Sequence, residues 1–197
     1  MSWSGELLHI HIAPAASCEM EELPEARLVP GRGIVGDRYY LGTGTYSPKP
    51  DVREVTLIEV EVLEAIERGE PRIPGFKAAL EPADHRRNLT IRGVPVNHLV
   101  GKRFRVGETV LRAARFNFPC KYLEELLGIP GLHEGLLNRS GLNCVAASCE
   151  NGVCGTCECG YLEGKPIHRD AVLSKDARSS RFIPCVSRAA GVLKLDL

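Results

Sequence analysis

Apolar and polar residues alternate from the start of the chain. Leu8, Ile10 and Ile12 take one side of a period-2 pattern and Leu7, His9 and His11 the other, which predicts a strand ended by Pro14. Val29 to Asp37 is rich in glycine and turn-forming. Glu54–Ile58 is apolar and β-branched, and predicts a strand. Glu59–Arg68 then takes helical spacing through Val62, Leu63 and Ile66, with Gly69 as its cap. Asn88–Ile91 predicts a short strand. Phe104–Val106 and Thr109–Ala114 predict a hairpin across Gly107-Glu108. Leu123, Leu126 and Leu127 share a face, so Tyr122–Leu127 predicts a short helix capped by Gly128. Short strands with few helices predict a mainly β, barrel-like core.

The pattern changes near Asn143. Glycine, cysteine and small polar residues dominate through Gly160, and two apolar stretches follow, Ala171–Leu173 and Val192–Leu197. We expect one domain over residues 1–143 and a smaller segment over 144–197, joined abruptly.

Charge narrows the function classes. The 25 Lys+Arg balance the 25 Asp+Glu, so no global field favours nucleic acid or an anionic membrane. Aromatics at 6% weaken a base-stacking role. No basic start precedes an apolar region, and no apolar run nears the roughly 20 residues of a membrane helix. We expect a cytoplasmic protein with neither nucleic-acid nor membrane partners.

Two local patterns invite a ligand and fall short of one. Gly31, Gly33 and Gly36 formally match G-x-G-x-x-G, but no long helix of a βαβ unit follows, so a dinucleotide site is rejected. His9 and His11 share a strand face and could bind a metal. With no third ligand nearby in sequence, they read as half-exposed strand residues.

Cysteine carries the chemistry. Of the eight, Cys144, Cys149, Cys154, Cys157, Cys159 and Cys185 lie after position 140, apart from Cys18 and Cys120. Clustering in a reducing compartment favours metal over disulfide. Cys149, Cys154 and Cys157 form C-x4-C-x2-C, with Cys185 far downstream, which is the plant-type spacing for a [2Fe–2S] cluster. Each iron wants two bridging sulfides and two thiolates, so a tight loop can supply three thiolates and a distant segment the fourth. Gly152 and Gly155 allow the close fold that brings N–H groups to the sulfurs. Zinc is the competing reading. Four-cysteine zinc sites usually join two C-x2-C knuckles, and one is present here.

The run SCENGVCGTC, then LEGKPIHRDAVLS, PCVSRA and a terminal LKLDL, resembles the C-terminal ferredoxin module of phthalate-dioxygenase-type reductases over Ala147 to Leu197. The resemblance implies a partial ferredoxin-like (β-grasp) segment with Cys149, Cys154, Cys157 and Cys185 as ligands and Cys159 as a bystander. The hairpin and helix that precede such a cluster loop are missing, so the last strand is expected to lack its usual partners.

A second resemblance covers Leu8 to Asn143. Its pieces are the Gly31–Arg38 loop, Glu54–Glu59, Arg86-Arg87-Asn88-Leu89, Leu99–Gly107, Pro119-Cys120 and Arg139–Leu142. In order and spacing they resemble a MOSC domain, the β-barrel-like domain of molybdenum-cofactor sulfurases. The resemblance implies that Cys120 binds the molybdenum of a pterin cofactor or carries sulfur as a persulfide. A thiolate is a soft donor suited to such a metal. A short helix after Cys120 and the neighbouring Lys121 would favour the thiolate. The plain alternative is a small buried hydrophobe. Arg38, Arg87 and Arg139 are candidates for the cofactor's phosphate and pterin, through guanidinium forks, with Lys121 as an added point charge. Solvated surface roles compete with each. Asp37 reads as a structural partner of Arg38, and Asn88 as a residue that satisfies loop backbone.

Four functions stay open. One is a molybdenum-dependent oxidoreductase acting on a small-molecule substrate, its [2Fe–2S] cluster fed by a separate reductase. No flavin or nicotinamide motif is visible to replace that reductase. The others are an electron carrier, a sulfur carrier and an inactive splice of two partial domains.

Overall fold

A computed structural model of the protein describes residues 3–47, 53–70, 72–74, 76–147, 158–184 and 186–196. Two compact units result. One comprises Met1–Val106 with Leu111–Ala146, the other Gly107–Val110 with Ala147–Leu197. The chain is mainly β with short helices.

In chain order the elements leading to the second unit are β1 (Glu6–Ile12), β2 (Glu21–Leu23), β3 (Leu28–Val29), β4 (Gly33–Ile34), α1 (Arg38–Leu41), β5 (Val55–Glu59), α2 (Val60–Glu67), β6 (Leu89–Arg92), β7 (Arg103–Val106), β8 (Thr109–Phe116), α3 (Lys121–Leu127), α4 (Leu132–Gly135) and β9 (Leu142–Ala146). Seven strands form a half-barrel sheet ordered β2-β1-β6-β5-β9-β8-β7. β5 and β6 run parallel, and the connection between them carries α2, as a parallel pair requires a crossover.

Alternating side chains give the sheet two buried faces. Leu57, Leu89, Leu142 and Cys144 pack on one, with Ile10 and Ile12 against them. Ile58 points the other way and packs with Val62, Leu63 and Ile66 of α2 and with Leu123 of α3. Backbone closeness sets one glycine: Gly141 has φ +85°, and a Cβ there would lie 1.9 Å from the Leu57 carbonyl oxygen.

Polar side chains stitch the central strands. Asn88 Oδ1 accepts from the Thr56 amide (3.0 Å) and hydroxyl (2.9 Å), and its Nδ2 donates to the His11 carbonyl (3.1 Å). Asn88 thus ties β1, β6 and β5 together. His11 departs from its expected half-exposure: it is 3% exposed, and burial lowers its pKa. The reason is that β2 covers β1 as an added edge strand, a pairing that alternation in β1 alone does not reveal. His9 instead pairs with Glu22 of β2 at 2.6 Å. Among the described residues no group of His, Cys, Asp and Glu is arranged to hold a metal.

The second unit holds β10 (Cys159–Glu163), β11 (Pro166–Ile167), β12 (Arg181–Phe182), β13 (Arg188–Ala189) and β14 (Lys194–Asp196). β10 lies between β12 and β14, and β11 pairs with β13. The expectation of an unpartnered last strand is therefore corrected: β14 pairs antiparallel with β10. β10 escapes the sequence pattern because Cys-Gly-Tyr-Leu-Glu is short and glycine-containing. Conversely, the apolar Ala171–Leu173 stretch forms no strand.

Asp170 organises this unit. Its buried carboxylate accepts from the amides of Leu173 (2.8 Å) and Val172 (3.2 Å). Burial alone would raise its pKa, but these amides and Arg178 outweigh it, and the carboxyl sits below its ordinary value. Arg178 donates to the Asp170 carbonyl (2.8 Å) and accepts on its own carbonyl from Tyr161 Oη (2.9 Å). No helix among the described residues is long and apolar enough to cross a membrane.

Candidate functional site

One cavity of about 290 Å³ in the first unit gathers Arg38, Arg53, Arg86, Arg87, Arg115 and Cys120. Five guanidinium groups come from α1, from the residues leading into β5 and β6, and from the end of β8. Cys120 stands in extended backbone (φ −137°) just before α3. Its half-buried thiol is unpaired in any disulfide.

The arginines differ in what holds them. Asp37 accepts from Ala13 N, Tyr39 N and Arg38 Nη1 at 3.0–3.2 Å, and caps α1. Arg38 Nη2 donates to the Arg86 carbonyl at 2.8 Å. Arg86 reaches that position with φ +57°, a conformation that costs a bulky residue about 1 kcal/mol. Its Nη1 donates to the Cys18 carbonyl (2.6 Å), while its Nη2 is buried with no hydrogen-bond partner among the described residues. Arg53 stacks over the Tyr46 ring at 4.6 Å, and its Nε is buried and likewise unpartnered.

Arg87 is the most constrained. It donates through Nε to the Ser140 carbonyl (3.1 Å), through Nη1 to the His85 carbonyl (2.7 Å) and through Nη2 to the Ser140 hydroxyl. Burial pulls its pKa down to about 10. The Arg87 amide donates to His85 Nδ1 (2.9 Å), which assigns the ring proton to Nε2, aimed at Thr90 Oγ1 (3.0 Å). Burial, then the charge of Arg87, holds His85 well below its ordinary pKa. A neutral, fixed imidazole therefore braces Arg87.

Tyr46 also lines the cavity. A hydrogen bond with Cys120, and then burial, raises the Tyr46 phenol pKa.

Of the residues singled out from sequence, Arg38, Arg87 and Cys120 meet on this cavity. Lys121 is exposed and does not line it. Arg139 is also off the wall: its Nε donates to the Gly135 carbonyl at 2.6 Å, and burial lowers its pKa. Sequence reading missed Arg53, Arg86, Arg115 and Tyr46. Adjacency to Arg87 was the available signal for Arg86, and no local pattern marks Arg53 or Arg115. Cys149, Cys154, Cys157 and Cys185 lie outside the described residues. Ile183 and Ser187, which flank Cys185 in sequence, are both buried. Cys144 is buried in the core, which raises its thiol to about 12 and leaves it inert.

The arrangement can bind an anion through unpartnered guanidinium N–H groups while offering a sulfur donor beside it. The other end of the chain resembles known proteins. Residues 131–190 match the 2Fe-2S iron-sulfur cluster binding domain. This 2Fe-2S match reaches back through α4 and β9 as well as covering the four motif cysteines. The chain is 50% identical over 54 residues to the reductase subunit of the tert-butanol monooxygenase / tert-amyl alcohol desaturase of Aquincola tertiaricarbonis, covering 27% of this chain and 16% of that protein. It is 48% identical over 52 residues to the reductase subunit of phthalate 4,5-dioxygenase of Pseudomonas putida, covering 26% and 16%. The chain thus spans about a sixth of these relatives. Among solved structures, the YUAD protein of Bacillus subtilis matches with TM-score 0.52 at 21% identity, over 74% of this chain and 90% of that one. YiiM of Geobacillus stearothermophilus matches with TM-score 0.53 at 12% identity, over 74% and 69%. These are MOSC-type proteins, and the likeness shows the fold. The cluster domain and its reductase relatives support an electron-transfer role.

Proposed function

We propose that this chain is a redox protein with two prosthetic groups. Cys149, Cys154, Cys157 and Cys185 hold a [2Fe–2S] cluster, and the arginine-lined cavity holds a molybdenum pterin with Cys120 as its sulfur donor. The observation that carries the reading is the assembly of Cys120 with five arginines on one cavity.

The residues present fit both groups. The buried, unpartnered N–H groups of Arg53 and Arg86 suit a phosphate. The Cys120 thiol suits a soft metal. Four cysteines in plant-type spacing suit a two-iron cluster. When bound, the cluster supplies single-electron transfer and the pterin metal supplies reduction or oxygen-atom transfer on a small molecule. The protein does the holding. Arg87, braced by His85 and Ser140, keeps a fixed positive charge at the cavity wall. Arg38, locked by Asp37, supports the Arg86 turn. Tyr46 lines the same cavity as Cys120. A separate reductase delivers the electrons.

The reductase relatives favour a second reading, in which the cluster passes electrons to an oxygenase partner and the first unit only docks it. Metal analysis on anaerobically purified full chain separates the two. About two irons and two sulfides per chain, lost in Cys185→Ser, are expected. Molybdenum retained in Cys185→Ser and lost in Cys120→Ser is expected on the first reading. Iron without molybdenum would leave the carrier reading, and absence of both after reconstitution would overturn the redox assignment.

A further inference from the structure

A second cavity, of about 180 Å³, is lined in part by the same two residues, Asn117 and Phe118, that line the Cys120 cavity. Phe116 ends β8 and Phe118 follows two positions later, and both line the second cavity. Both are unusually open for phenylalanine, at 40% and 64% exposed. Between them Asn117 is only 8% exposed. Its backbone N–H is used by the Gly141 carbonyl at 2.8 Å. Asn117 lines both cavities, and its side chain makes no hydrogen bond among the described residues. Its amide donor and acceptor are therefore available to a ligand.

The rest of the wall is uncharged. Asn97 Nδ2 donates to the Asn138 carbonyl at 3.0 Å, which leaves the Asn97 oxygen as an acceptor. Ser140, behind it, is occupied by Arg87. Gly141 is held bare because a Cβ there would strike the Leu57 carbonyl. The wall thus offers aromatic rings and amide groups, while the arginines belong to the neighbouring cavity.

We propose that this cleft is the substrate subsite of the Cys120 cavity, and that it takes an uncharged, flat ring bearing an amide-like edge. The ring lies against Phe118 and Phe116, and the edge pairs with the Asn117 amide, which sets the molecule beside Cys120. The proposal rests on the reading of the Cys120 cavity as the reaction site.

Ligand-observed saturation-transfer NMR on the purified full chain tests it with three probes: benzamide, which is flat and neutral; benzoate, flat and charged; and cyclohexanecarboxamide, neutral but not flat. Benzamide is expected to bind about tenfold more tightly than cyclohexanecarboxamide, an aromatic contact being worth on the order of 1 kcal/mol, and benzoate, drawn to the arginines of the neighbouring cavity, is expected not to displace it. Phe118→Ala, a truncation of an exposed side chain, and Asn117→Leu, which keeps volume and removes the amide, are each expected to weaken benzamide about tenfold. Phe118→Ala alone decides the matter should Asn117→Leu fail to fold. Benzoate displacing benzamide, or benzamide binding untouched by Phe118→Ala, overturns the subsite. Molybdenum content on the same preparations keeps the two ideas apart. Metal present without selective benzamide binding defeats the subsite alone. Selective binding without metal supports the subsite and defeats the molybdenum reading alone.

Discussion

Leu57, Ile58, Leu132, Leu136 and Leu142 of the first unit are buried to 0–1% exposure, whereas the described part of the second buries Leu173, Phe182 and Ile183 beside the polar Asp170 and Ser187. The first unit has a sheet of seven strands with an apolar layer on each face, and its order follows from burial. The second has strands of two to five residues, held by hydrogen bonds that converge on Asp170 and Arg178. So little apolar burial points to metal ligation as its main stabiliser, since ligand binding there is folding free energy. On the proposed reading, one chain holds a region that its core folds and a region that a bound cluster would fold.

The largest effect is expected where that contrast is sharpest. Cys185→Ser should strip the iron and lower amide-exchange protection across 158–196 by roughly a hundredfold or more, with β5 and β6 unchanged. Equal protection in iron-free and iron-loaded protein would break the comparison. Next comes Leu57→Ala in the fully buried centre of β5, expected to lower the unfolding free energy by about 3 kcal/mol in a denaturant titration followed by far-UV circular dichroism. A change below about 1 kcal/mol would mean that the first unit is not held by its core.

Asp170→Asn keeps size and removes charge. It should cost about 1–3 kcal/mol of stability in the second unit, seen as faster bleaching of the cluster absorbance in mild denaturant. Unchanged bleaching would show that the polar pins are dispensable. The smallest effect concerns pH. His85 has a depressed pKa when folded, so the unfolded chain binds the extra proton. Its contribution is complete above its ordinary value near 6.5 and is lost as pH falls below that, at no more than about 1.4 kcal/mol per pH unit. His85→Gln should flatten this part of the stability profile between pH 6.5 and 5. The same slope in both proteins would assign the dependence to other groups.

Legibility in the sequence followed the range of the interaction. Strands β5 and β6, the hairpin β7–β8 and helices α2 and α3 were readable because alternation, helical spacing and glycine caps are local. His11 was misjudged because its cover, β2, arrives by pairing rather than by pattern. The partner of the last strand was missed because β10 is short and contains Gly160. In the site, Cys120, Arg38 and Arg87 were legible from motif order. Arg53 and Arg115 were not, since they meet Cys120 only across separate strands.

By itself the sequence determined the mainly β character, the change of texture near Asn143 and the C-x4-C-x2-C pattern with its distant Cys185, because these rest on neighbours along the chain and on thiolate chemistry. The tertiary structure alone decided which arginines share a wall with Cys120. It also set Lys121 and Arg139 apart from that wall and placed Asn117 on two cavities at once. Those outcomes depend on strand order and register, which bring residues far apart in sequence within a few ångströms, and no local spacing records them.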